Sequence, residues 1–178
     1  MTRIVDTCWG PREIGEKTLW HLVSGRSFFY NNVRAGKGAL LSVSAGIRAE
    51  PQLHDAHTLY SFSRQMEEKE ALFEKVRLEK FPHRPSRLKT LYVFDDYSLV
   101  QRALAEWFPN EKKEVHECRV LLGSVTHRAD TSWLNRSPNE WAPRAEKYWE
   151  GMMTDSPFPE VLIHGALYFP EWRSFSSA

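Results

Sequence analysis

The apolar residues of Thr18 to Val23 form a short run that predicts a first strand, with one imidazole, His21, set between Trp20 and Leu22. Further on, Met66, Leu72, Phe73 and Val76 recur near helical spacing, and Glu67, Glu68, Lys69, Glu70, Glu74 and Lys75 fall on the wet faces. A helix capped by Ser63 is therefore expected to reach about Lys80 and to stop before Pro82. Leu88 to Phe94 reads as a strand, followed by Asp95 or Asp96 as the cap of a helix that carries Val100, Ala103, Leu104 and Trp107 on one face. Alternation from Val115 to Leu122 places His116, Cys118, Val120 and Leu122 on one side of a strand, with Glu117 and Arg119 on the other. Ser137 and Pro138 open a helix carrying Trp141, Ala145, Tyr148 and Trp149, and a closing strand runs from Glu160 to Phe169. Two stretches lack a period: Met1 to Lys17, an irregular arm broken by Gly10, Pro11 and Gly15, and a long loop from Ser24 to about His57. The sum is an α+β chain of short strands and interspersed helices, expected to form a single domain over residues 1–178.

Composition narrows the functional classes. Seven Trp, ten Phe and six Tyr supply a heavy core or stacking surfaces for planar ligands. With 24 Lys and Arg against 23 Asp and Glu, the net charge of +1 gives no broad footprint for nucleic acid or a membrane surface. A local exception is the basic segment His83, Arg84, Arg87 and Lys89. Cys8 and Cys118 are far apart and lack metal-ligand spacing, which suggests reduced thiols, and no apolar run is long enough for an export signal or a bilayer span, so a cytoplasmic protein is expected.

Common catalytic signatures are missing. The stretch Gly36 to Leu41 has the wrong spacing for a phosphate-binding glycine loop, and there is no nucleophile elbow. His54, Asp55 and His57 lie in a polar loop and read more readily as exposed punctuation than as metal ligands, so no metal is expected. A Cys118 and His116 pair on one strand face would act as a nucleophile only if the thiol were accessible.

Three polar groups at strand positions remain: His21, Tyr92 and Glu160. Cleavage of the glycosidic bond of a nicotinamide nucleotide passes through a cationic, oxocarbenium-like centre. That chemistry calls for a carboxylate near the ribose, a neutral group to fix sugar hydroxyls and an aromatic plate for the nicotinamide ring.

The order "LWHLV", "LYVFDDYSLVQRALAEWF", "VHECRVLLGSV", "HRADTSWL" and "PEVLI" resembles the ADP-ribosyltransferase superfamily over about Thr18 to Phe169. It is nearest in layout to small bacterial members such as rifampicin ADP-ribosyltransferases and DarT-type DNA-modifying toxins. The resemblance implies a split antiparallel or mixed sheet with flanking helices, and NAD as the substrate from which ADP-ribose passes to a macromolecular or small-molecule acceptor, in a toxin, effector or conflict protein. It implies that His21 binds ribose hydroxyls, that Tyr92 stacks on nicotinamide, and that Glu160 holds the nicotinamide ribose or takes the acceptor's proton. Arg26, Tyr30 and Asn31 would grip the rest of the dinucleotide, with Arg26 on the pyrophosphate and Ser86 and Arg87 at the rim. Phe158 stands two positions before Glu160, so the paired acidic residues of arginine-modifying transferases are absent, as is a Ser-Thr-Ser strand.

Each of these residues also has a plainer explanation: His21 as a hydrogen-bonded core histidine, Tyr92 as a core aromatic, Glu160 as a solvated carboxylate and Arg87 as a surface salt-bridge partner. Two non-enzymatic functions use the same residues. One is a nucleotide or nucleic-acid binding module built on stacked aromatics and the basic segment, and the other is a protein-interaction inhibitor anchored by exposed tryptophans.

Overall fold

The computed structural model describes residues 3–24, 26–49, 64–135 and 137–175, without the side chains of 26–27, 47–49 and 64–67. The strands are β1 (Arg3–Thr7), β2 (Gly10–Ile14), β3 (Leu19–Val23), β4 (Ala39–Leu41), β5 (Leu91–Val93), β6 (Glu114–Val120), β7 (Val125–Asp130), β8 (Pro159–His164) and β9 (Ala166–Tyr168). The helices are α1 (Arg26–Ala35), α2 (Val43–Ala49), α3 (Arg64–Lys80), α4 (Tyr97–Trp107) and α5 (Trp141–Glu150). The fold is α+β, with antiparallel strand pairing and flanking helices. It divides into two compact units: Met1–Leu41, Tyr92–Ser124 and Gly165–Ala178 form the first, and Ser42–Leu91 and Val125–His164 form the second.

In the first unit, the expected irregular arm is a hairpin, with β1 antiparallel to β2 from Arg3 opposite Ile14 to Thr7 opposite Gly10. Its turn uses Gly10 at φ +83° and a hydrogen bond from Thr7 Oγ1 to the Gly10 carbonyl. Val5, Thr7 and Ile14 face inward, but Ile4 points to solvent and obscures the alternation in the sequence. A four-stranded antiparallel sheet follows in the order β3-β6-β9-β4. Leu19 lies opposite Cys118, His21 opposite His116 and Val23 opposite Glu114.

The loop expected after Ser24 is instead α1, β4 and α2 up to Ala49. Phe29, Tyr30 and Val33 bury one side of α1, while Asn31 and Asn32 face water. Asparagine and serine are poor helix formers, so packing rather than propensity holds this helix, and the sequence signal is weak. As expected, Asp96 caps α4, accepting from Ser98 N at 2.8 Å, and Val100 and Ala103 are buried.

In the second unit, β7 pairs antiparallel with β8, from Val125 opposite His164 to Asp130 opposite Pro159. Helices α3 and α5 pack together, Trp149 Nε1 donating to the Phe73 carbonyl at 2.8 Å, and α5 buries Trp141, Ala145, Tyr148 and Trp149 as its pattern predicts. The expected cap Ser63 lies outside the described residues. The solvated face expected of α3 is wrong at Glu70, because the inward stripe is Glu70, Phe73 and Arg77, two of them charged. The closing strand is not continuous either: Gly165, at φ +137°, separates β8 from β9.

Candidate functional site

Strand β3 carries Leu19, His21 and Val23 on the face that β6 continues with Cys118, His116 and Glu114. An alternating strand thus delivers two imidazoles as direct cross-strand neighbours, with a carboxylate one step along. His21 Nδ1 lies 2.7 Å from the Tyr92 carbonyl oxygen. A carbonyl only accepts, so Nδ1 carries the proton and donates, and Nε2 of the neutral ring is an acceptor. Nε2 makes no hydrogen bond to a described residue. Although part of its surface reaches solvent, His21 is surrounded closely enough that burial lowers its pKa. The Tyr92 carbonyl opposes that shift and the neighbouring His116 adds to it. The ring is neutral at pH 7.

Around this pair stand aromatic rings from α1, β9's flank and the last turn of the described chain. Phe29 stacks on His116 at 5.4 Å between centroids and lies 5.8 Å from His21. Phe169 meets His21 edge-on at 6.0 Å, and Phe175 lies 4.7 Å from both His116 and Tyr30. Tyr30 donates a short hydrogen bond to Glu114 Oε2, and His116 Nε2 lies 3.4 Å from the Tyr30 oxygen and 3.6 Å from that carboxylate. Since the Tyr30 proton is committed to Glu114, the phenol oxygen is an acceptor toward His116.

A second polar cluster occupies the second unit. Arg87 Nε donates to Glu70 Oε2 at 2.9 Å, and Nη1 donates to Tyr148 Oη at 2.7 Å and to Glu160 Oε1. Tyr148 also donates to Glu160 Oε1, at 2.7 Å. All four side chains are buried. A guanidinium between two carboxylates is a charge arrangement stable in a desolvated setting only as an intact set. Beside it, Glu74 binds Arg77 through both oxygens and accepts from Ser86 Oγ at 2.9 Å.

The residues picked from the sequence therefore separate into groups. His21 and Tyr92 are brought together, through the backbone of Tyr92 rather than its ring. Tyr30 joins them by way of His116. Asn31 is exposed and accepts from Arg34 at 2.9 Å, and the side chain of Arg26 lies outside the described residues. Arg87 and Glu160 meet each other, buried rather than solvated, and Ser86 is held by Glu74. Burial of Arg87 also removes it from the basic segment, where His83 and Arg84 are exposed.

Burial raises the Cys118 thiol far above its usual range, so the pairing with His116 supplies no nucleophile. Among the described residues, no three His, Cys, Asp or Glu side chains are grouped to hold a metal ion, and His54, Asp55 and His57 lie outside them. No helix of the described residues is long and apolar enough to cross a membrane. The sequence reading passed over Phe29, Glu114, Phe169 and Phe175. The alternation that put His116 and Cys118 on one side reaches Glu114 when carried one step back, whereas the aromatic partners come from segments that only the fold brings near.

The chain matches none of the curated proteins. A family described as a protein of unknown function, DUF2441, matches residues 46–171. His21, Arg26, Tyr30 and Asn31 precede that segment, and Ser86, Arg87, Tyr92, Glu114 and Glu160 fall within it. Residues 46–171 being most of its length, the chain belongs to the DUF2441 family.

Proposed function

We propose that this protein is an NAD-dependent ADP-ribosyltransferase that uses His21 to hold ribose hydroxyls. One observation carries the proposal: the Tyr92 carbonyl fixes the His21 proton on Nδ1, which presents a neutral Nε2 acceptor among aromatic rings. A core histidine that served packing alone would be expected to have both ring nitrogens hydrogen-bonded. An acceptor beside aromatic faces suits a nucleoside, which offers hydroxyl donors next to a flat ring. NAD, when bound, supplies a glycosidic bond with a good leaving group. The protein's part is to orient the sugar and to balance positive charge. In this scheme Tyr92 positions His21 through its backbone carbonyl. The acceptor of ADP-ribose is a macromolecule or a small molecule.

Labelled NAD incubated with the protein and a cell lysate should transfer label or release nicotinamide, and His21→Ala should reduce either signal at least about tenfold. No transfer, no nicotinamide release and no NAD-dependent thermal shift would remove the proposal. A second function, a nucleotide-binding module without turnover, is favoured by the burial of Glu160 against Arg87 and Tyr148. NAD binding without consumption would establish it.

A further inference from the structure

Ser44 and His164 meet within the second unit from 120 positions apart, Ser44 Oγ lying 2.7 Å from His164 Nδ1. That is the spacing a serine nucleophile needs from its base. The capping of α2 leaves the Ser44 hydroxyl without a local structural task. Ser42 is the cap, its Oγ accepting from Ala45 N at 3.2 Å and its carbonyl from Gly46 N at 2.9 Å, and Ser44 N itself donates to the Lys89 carbonyl at 2.8 Å. His164 ends β8 opposite Val125, where Gly165 breaks the strand, and both Ser44 and His164 are half-buried, within reach of solvent. His127, in the same sheet, is the contrast: it is buried against a backbone carbonyl, which only accepts, whereas a hydroxyl partner has a proton to give up. We propose that Ser44 is a nucleophile with His164 as its general base, and that the pair hydrolyses acyl esters that carry a good leaving group. The inference stands apart from the nucleotide reading above and uses none of its residues.

Ser42 Oγ lies 3.1 Å from Ser44 Oγ. With Ser42 donating to Ser44, the Ser44 proton is directed at His164 Nδ1, and the neutral ring carries its own proton on Nε2. In the first half of the reaction Ser44 Oγ bonds to the acyl carbon as its proton passes to Nδ1. The bond to the leaving alcohol then breaks, and the alcohol oxygen takes that proton. In the second half water attacks the acyl-serine and gives a proton to Nδ1, and the Ser44 oxygen leaves and recovers it, so that ester and water become carboxylic acid and alcohol. The amides of Ser44, Ala45 and Gly46 are committed to Lys89 and Ser42, so none of them is offered to an oxyanion. The reaction then depends on the leaving group, which selects aryl esters over alkyl esters.

A fluorophosphonate probe bonds to an activated serine as fluoride leaves. Incubated with the full chain and followed by peptide mass spectrometry, it should mark Ser44. An unmarked protein, or a mark confined to other residues, would overturn the proposal, and neither result requires a variant to fold. With para-nitrophenyl acetate, Ser44→Ala should abolish release of nitrophenolate above the background rate, and His164→Gln should slow it at least about a hundredfold. The rate of the original protein should climb with pH and level off as His164 loses its proton, and His164→Gln should lose that titration. Thermal melting confirms that each variant is folded. A folded His164→Gln protein that reacts at the original rate, with the same pH profile, would reduce the pair to a structural hydrogen bond and overturn its catalytic role.

Discussion

Two charged or titratable side chains show how environment, rather than residue type, decides a role. Arg87 reads in the sequence as one member of a basic segment, yet the fold buries it between Glu70 and Glu160. Replacing it with Met leaves two buried carboxylates without a counter-ion, so urea denaturation of Arg87→Met should show a loss of about 3–5 kcal/mol. Neutralising the partners in the same chain, with Glu70→Gln and Glu160→Gln, should restore part of that loss; full additivity of the three changes would contradict a coupled cluster. His21 makes the complementary case. Its position between Trp20 and Leu22 was legible in the sequence, but the tautomer that makes Nε2 an acceptor depends on the Tyr92 carbonyl, 71 residues away, and no local pattern reports it.

Among the elements, those with strong internal periodicity were legible: β3, α4 with its Asp96 cap, α5 with its aromatic stripe, and most of α3 and β6. Those that depend on tertiary packing were not. The β1–β2 hairpin hides behind an exposed Ile4, and β4 has three residues, too few to show a period. Helix α1 is followed by Lys37 at φ +51° and Gly38 at φ +93°, a left-handed turn that sends the chain back as β4. Gly38 meets a second demand there, since a Cβ would stand 2.4 Å from Trp172 Cδ1 and 2.6 Å from Tyr168 Cε2. Gly38→Ala should therefore destabilise the protein by at least about 1 kcal/mol by chemical denaturation, and a neutral or stabilising result would refute that packing. The strand expected from Glu160 to Phe169 failed for a related reason: a single Gly165 at φ +137° ends one strand and begins another, while the apolar run on either side is uninterrupted.

For the whole molecule, acid stability follows from two buried groups of the second unit. Burial lowers the His127 pKa to about 4 from 6.5, against the opposing hydrogen bond to the Tyr148 carbonyl. Between those values the unfolded chain binds the proton and the folded chain does not, so stability rises with pH and is lost on acidification from about 6.5 to about 4, by on the order of 3 kcal/mol. Asp130 adds to the same limb lower down. Burial works to raise its pKa, but hydrogen bonds from the backbone of Phe158, Thr154 and Ser132 and from the Thr154 hydroxyl prevail and lower it, so its contribution is present above the unfolded value of 3.8 and lost as pH falls through the folded one. Melting temperatures measured from pH 7 to pH 4 should fall steadily, and His127→Gln should flatten that decline; an unchanged slope in the variant would assign the acid sensitivity elsewhere.

The ligand chemistry tests at the same scale, because it depends on a neutral ring held by distant backbone in the intact fold. Long-range proton–nitrogen correlation spectroscopy of histidine-labelled protein at pH 7 reads that state directly. A His21 ring protonated on Nδ1 alone is expected, with an Nε2 resonance that moves toward the hydrogen-bonded position when NAD is added. A His21 protonated on Nε2, or an Nε2 resonance indifferent to saturating NAD, would contradict it.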